Sequence, residues 1–126
     1  QQVNLAGAVI VSTPQDIALL DVVKALTMFQ KASVPVLGMI ENMSYWCCPD
    51  CGRIDHIFGE GGVKAEAKKR GIEMLGEIPI SSQVRKSSDS GIPIIISEPK
   101  SVQSKNYRNI AKAIIKSVKI DEEELV

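Results

Sequence analysis

The feature that most constrains this chain is the order in which its apolar runs and amphipathic stretches alternate. "GAVIVST", Gly7–Thr13, is a short continuous run rich in β-branched residues. Such a run reads as a strand buried on both faces. "TPQD" follows, with Thr13 placed to accept at a helix N-cap, Pro14 at the first helical position and Asp16 at capping-box spacing. The helix this opens is expected to reach Lys31, with Leu19, Val22, Val23, Leu26 and Phe29 as its apolar stripe and Asp21, Lys24 and Lys31 opposite. "VPVLGMIEN", Val34–Asn42, reads as a second buried strand and "EMLGEIPI", Glu73–Ile80, as a third. Between them "GGVKAEAKKRG", Gly61–Gly71, reads as a short polar helix closed by a C-terminal glycine. "SSQVRKSSDSG" is expected to form a helical turn and loop, and "IPIIIS", Ile92–Ser97, is a fourth apolar run.

The last helix is expected over Val102–Lys119. Tyr107, Ile110, Ala111, Ile114 and Val118 form its apolar stripe, and Lys105, Arg108, Lys112, Lys116 and Lys119 form a face that is either solvated or a partner surface. This gives one domain over 1–119 and a frayed acidic tail over 120–126. The fold class is α/β: a parallel sheet covered by helices on both faces. In such sheets the loops that carry function leave the carboxyl ends of the strands. Attention therefore falls on the segments after the three strands, "STPQD", "ENMSYWCCPDC" and "EIPISSQ".

Bulk properties narrow the function classes. The chain has 126 residues and 15 basic against 15 acidic side chains. A net charge of zero removes the simple electrostatic case for a nucleic-acid binder. No apolar run approaches the ~20 residues of a membrane span. No signal peptide is visible, and a chain that opens at Gln1 is expected to be a fragment.

All three cysteines fall within Cys47–Cys51, inside "ENMSYWCCPDCGRIDHIFGEGG", which also holds the chain's one tryptophan and one histidine. Adjacent cysteines and an odd count do not suit a secreted disulfide framework, and thiols in this pattern point to metal or redox chemistry in a reducing compartment. Cys48-Pro49-Asp50-Cys51-Gly52 is a C-x-x-C knuckle. Two thiolates at this spacing reach one zinc or one iron of a cluster, while Gly52 lets backbone N–H groups turn toward sulfur. A closed site needs four ligands, and no second C-x-x-C exists in the chain.

Three arrangements satisfy that count. The site closes within the chain using Cys47 and His56, although neighbouring side chains of Cys47 and Cys48 usually diverge. It closes across a two-fold axis, with Cys48 and Cys51 from each of two copies. Or the pair is a redox dithiol, although the helix that normally follows such a pair and lowers its pKa is replaced here by "GRIDHIFGEGG". Taken alone, His56 reads as a hydrogen-bonding loop residue, and Tyr45 and Trp46 as shields or interface residues.

A phosphate loop of the form G-x-x-x-x-G-K-[ST] is missing, and no Gly-Lys dipeptide occurs anywhere. "FGEGGVKAE", Phe58–Glu66, is glycine-rich and opens a helix, so an anion could sit at its N-terminus.

The runs "GAVIVSTPQDIALLDVVKALTMFQKASVPVLGMIENMS", "CPDC", "HIFGEGG", "LGEIPI" and "SDSGIPI" together resemble the carboxyl-terminal half of the Mrp/nucleotide-binding-protein ATPases. These are deviant P-loop proteins akin to the MinD and nitrogenase-iron-protein class. They include bacterial Mrp proteins and a mitochondrial factor serving respiratory complex I. The resemblance spans about Ala6–Lys116. It implies an iron–sulfur carrier that is a homodimer and passes a labile [4Fe–4S] cluster to apo-protein clients, in bacterial-type cytoplasm or the mitochondrial matrix. It also implies that Cys48 and Cys51 of both copies hold the cluster, and that Asn42 and the backbone at Ile78 and Pro79 contact adenine. Cys47 lies outside the pattern. The family's phosphate loop and Mg²⁺ ligands belong to an amino-terminal half that these residues do not contain. ATP binding and hydrolysis are therefore expected of a full-length parent, and the sheet is expected to show an unpaired edge. The competing expectation is a zinc-bridged, non-enzymatic dimerisation module; a thiol oxidoreductase is the third.

Overall fold

The computed structural model describes residues 5–124, with side chains through residue 118. Three parallel strands, β1 (Ala8–Ser12), β2 (Val36–Asn42) and β5 (Met74–Ile78), form a sheet in the order β1-β2-β5. Between β2 and β5 lie a small antiparallel hairpin, β3 (Trp46–Cys47) with β4 (Ile54–Asp55), and helix α2 (Gly62–Arg70). Helix α1 (Asp16–Lys31) joins β1 to β2, and α3 (Ser82–Ser90), α4 (Ile94–Ser97) and α5 (Val102–Glu124) follow β5.

The apolar strands separate two cores. Ile10 and Met39 pack with Val22 of α1 and with Val63 and Ala67 of α2 on one face. Ile40, Leu75 and Ile78 pack with Ile110 of α5 on the other. Helices thus cover both faces of a parallel sheet, as the alternating runs require. Burying a side chain such as Ile110 contributes about 1.5–3 kcal/mol. It sits in a notch that only glycine provides, because a Cβ on Gly76 would lie 2.5 Å from Ile110 Cγ1.

Several expectations need correction. The cap of α1 is Gln15 and makes no side-chain bond to the helix; the Thr13 hydroxyl instead donates to Gln15 Oε1 at 3.1 Å. On α5, Ala111 is exposed and Ala113 takes its place against the sheet, beside Tyr107 and Ile114. The segment read as a turn and loop is the full helix α3, capped by the Ser81 side chain accepting from Val84 N–H and closed by Gly91. The fourth apolar run, Ile92–Ser97, ends in the short helix α4, which starts right after Pro93. The Ser104 hydroxyl pins that helix, lying 3.1 Å from Ile94 O and 2.6 Å from Glu98 O. The backbone of α5 continues past Lys119 to Glu124; Leu125 and Val126 of the expected tail lie outside the described residues. Among the described residues no helix is long and apolar enough to cross a membrane.

Among the described residues the outer edge of β1 is open, as expected from the motifs. Val11 on it is 58% exposed, and a cleft of about 380 Å³ runs from Ile10–Thr13 across α1 to Asn42.

Candidate metal-ligating site

The cysteines leave the sheet at the carboxyl end of β2. Met43, at φ 53°, turns the chain out of the strand. Ser44 N–H donates to Ile78 O at 3.0 Å and Ile80 N–H donates to Tyr45 O at 2.7 Å, so the departing segment is stitched to the end of β5. Beyond this seat the chain forms the β3–β4 hairpin, with Trp46 opposite Asp55 and Cys47 opposite Ile54.

The knuckle is the hairpin's turn. Cys48 N–H donates to Arg53 O at 2.8 Å, and Gly52 N–H returns to Cys48 O at 2.9 Å. Gly52 adopts φ 75°, a left-handed conformation that side-chain-bearing residues avoid. Cys48 is half-buried and Cys51 exposed, and all three thiols are free. The Cys48 thiol is held below the ordinary thiol range, first by the Cys51 backbone N–H, then by the Asp50 N–H and the Cys51 thiol. Donors aimed at one sulfur favour its thiolate, which is the form that binds a metal.

The Cys47 thiol is directed at the knuckle's carbonyls, Gly52 O at 3.7 Å and Cys48 O at 3.9 Å. His56 is engaged elsewhere: its Nδ1 lies 3.3 Å from Ser44 O, its Nε2 lies 3.6 Å from Glu60, and its ring leans on Tyr45. Among the described residues no group of three or more His, Cys, Asp or Glu side chains converges. Closure within one chain through Cys47 and His56 therefore has no geometric basis here. The donor chemistry of the knuckle, two soft thiolates with N–H groups around one of them, fits an iron–sulfur cluster and also fits zinc.

The residues expected near a nucleotide also come together. Asn42 and Ile78 are register partners at the ends of β2 and β5, with Pro79 next in the chain. The Asn42 carboxamide oxygen accepts from Met43 N–H at 3.0 Å, while the Ile78 side chain is committed to the core.

Sequence reasoning does not single out Glu41. It is 1% exposed; its Oε1 accepts from the Ser44 hydroxyl at 2.6 Å and its Oε2 from Val63 N–H at 3.1 Å. The Val63 bond corrects the idea of an anion site at the start of α2, because the protein's own carboxylate already occupies a first-turn N–H there. The available signal was a carboxylate closing the otherwise apolar run "VPVLGMIE".

Residues 1–115 match the family described as ParA: NUBPL iron-transfer P-loop NTPase. The chain belongs to this family. It is 57% identical over 120 residues to the iron-sulfur cluster transfer protein NUBPL of Dictyostelium discoideum, an alignment covering 95% of this chain and 37% of that protein. It is 49% identical over 114 residues to an iron-sulfur cluster carrier protein of Aquifex aeolicus, covering 90% of this chain and 31% of the relative. Among solved structures, the nucleotide-binding protein of Archaeoglobus fulgidus in complex with ADP superposes with a TM-score of 0.64 at 45% identity, over 76% of this chain and 38% of that one. The chain thus spans roughly a third of the length of these family members. The α/β fold and the Mrp-type relationship expected from the motifs both hold.

Proposed function

We propose that this chain is the cluster-holding part of an iron–sulfur carrier, in which Cys48 and Cys51 of two copies together hold a [4Fe–4S] cluster for delivery to apo-protein clients. The observation that carries this reading is the exposed Cys48–Cys51 turn, which offers two convergent sulfurs at the carboxyl edge of a parallel sheet. Two sulfurs leave half of a four-ligand shell open, and a second copy related by a two-fold axis supplies the same pair. The carrier names of the family's members support the cargo. In a full-length parent, Asn42, Ile78 and Pro79 would border the adenine of ATP. The related archaeal protein is a complex with ADP, which supports a nucleotide in the parent.

Anaerobic reconstitution with iron and sulfide tests the reading. The expected result is a visible charge-transfer chromophore and an EPR signal on reduction, on a species of twice the monomer mass. Both should be lost in the Cys48→Ala, Cys51→Ala double variant. One zinc per two chains with no cluster uptake would reassign the site to a zinc-bridged dimer. A loaded monomer would overturn the shared ligand set.

A further inference from the structure

We propose that Glu41 is a positioning residue for the Cys48–Cys51 pair, a carboxylate that ties both ends of the cysteine-bearing segment to the sheet and so sets where the hairpin presents its sulfurs. The inference rests on the reading above that this pair holds a metal or cluster.

The carboxylate is buried deep at the end of β2, and among the described residues it makes no ion pair. Burying an unpaired charge is costly unless its oxygens are fully hydrogen-bonded. A Met or Leu would fill the same volume without that cost, so filling the core does not account for a glutamate here. What the glutamate adds is two acceptors aimed at two separate parts of the chain. One oxygen takes the hydroxyl of Ser44, three residues on. The other takes Val63 N–H, 22 residues on, in the first turn of α2, where the helix dipole favours a negative charge. Everything between these two anchors is the cysteine-bearing excursion.

The Ser44 arm reaches both strands of the hairpin. Ser44 is itself 1% exposed. Its N–H holds Ile78 O, and its carbonyl lies 3.3 Å from Nδ1 of His56, the residue that follows β4. Tyr45, next in the chain, leads directly into β3. Glu41 therefore fixes the base from which β3 leaves and to which β4 returns. A hairpin whose paired strands are only two residues long has little rigidity of its own. Two such hairpins can present four sulfurs to one cargo only if their bases hold a set direction.

The test uses the full chain, without oxygen, and Co²⁺ as the probe, whose thiolate charge-transfer band reports coordination by sulfur. Ser44→Ala cuts only the hairpin arm. It is expected to weaken Co²⁺ binding about tenfold or more, as loss of an outer hydrogen bond does at metal sites. In the metal-free protein, hydrogen exchange of the amides over 46–55 should accelerate while those of β1 and β5 do not change. Glu41→Ala should do the same more strongly. Glu41→Gln should restore near wild-type values, since its carboxamide oxygen can accept from Val63 N–H while its NH₂ donates to Ser44 Oγ. If Glu41→Ala fails to fold, Ser44→Ala and Glu41→Gln carry the test. Unchanged Co²⁺ affinity and unchanged hairpin exchange in Ser44→Ala would overturn the proposal. If the wild type shows no sulfur-bound Co²⁺ at all, it is the metal reading that falls. The exchange comparison, made without metal, then decides the positioning role by itself.

Discussion

The seat of the cysteine segment and its tip are built in opposite ways. At the seat, Glu41, Ser44, Ile78 and Pro79 are buried, and hydrogen bonds cross between the ends of β2 and β5. At the tip, Trp46 is 37% exposed and Ile54 56%, and only two residues of each strand are paired. The seat behaves as part of the core. The tip gains little from packing, so its order depends on its few hydrogen bonds and on the seat below it. For the carrier proposed above, which must bind cargo and also release it, this division would keep the point of attachment fixed while the tip adjusts.

Substitutions at the two places should part company, and the widest gap is expected for the thiols. The Cys48→Ala, Cys51→Ala double variant is expected to abolish cluster uptake while unfolding free energy changes by no more than about 0.5 kcal/mol, the usual range for surface sites. Absorption of the reconstituted protein and a denaturant melt check the two halves of that statement. Met39→Ala, at a position 0% exposed beneath the seat, is expected to cost about 2–5 kcal/mol. Gly76→Ala drives a methyl group into Ile110 and is expected to cost about 1–3 kcal/mol. Both are read from denaturant midpoints.

A subtler contrast concerns protonation at the tip. The N–H groups facing Cys48 favour its thiolate, so its reaction with iodoacetamide should reach half its maximal rate at a lower pH than that of an unperturbed cysteine in a reference peptide. The sign is fixed: the acid form is the one disfavoured, so the reactive fraction at neutral pH rises. A Cys47→Ser, Cys51→Ser background isolates the reading to Cys48. It replaces the third donor, the Cys51 thiol, by a hydroxyl that can still donate, and leaves the two backbone N–H groups in place. The smallest effect is expected away from both regions. Arg85 and Asp89 on α3 form a pair at 3.8 Å with side chains 84% and 73% exposed, and Arg85→Ala should change stability by less than about 0.5 kcal/mol.

The strands of the main sheet are legible in the sequence because each is a continuous apolar run flanked by turn or cap residues, and doubly buried strands leave that mark. The third, expected over Glu73–Ile80, forms as Met74–Ile78, a shift confined to its ends. "IPIIIS" carries the same mark and misleads for that reason. The local warning is Pro93, which stands at the N-cap of α4, and the Ser104 hydroxyl, ten residues on, holds Ile94 O. The β3–β4 hairpin escapes notice because two-residue strands have no periodicity to detect. The C-x-x-C knuckle, by contrast, is visible from residue type and spacing alone. Glu41 can be noticed in sequence but not interpreted, since its meaning depends on Val63 arriving beside it from 22 residues away.

The open side of β1 has a consequence for anyone handling this polypeptide. Among the described residues its outward backbone amides and carbonyls form an unfinished ladder beside an exposed valine. At high concentration, two molecules meeting along that margin would extend one another's sheet. Turbidity that grows with concentration, and is suppressed by a lysine at Val11, would be its signature.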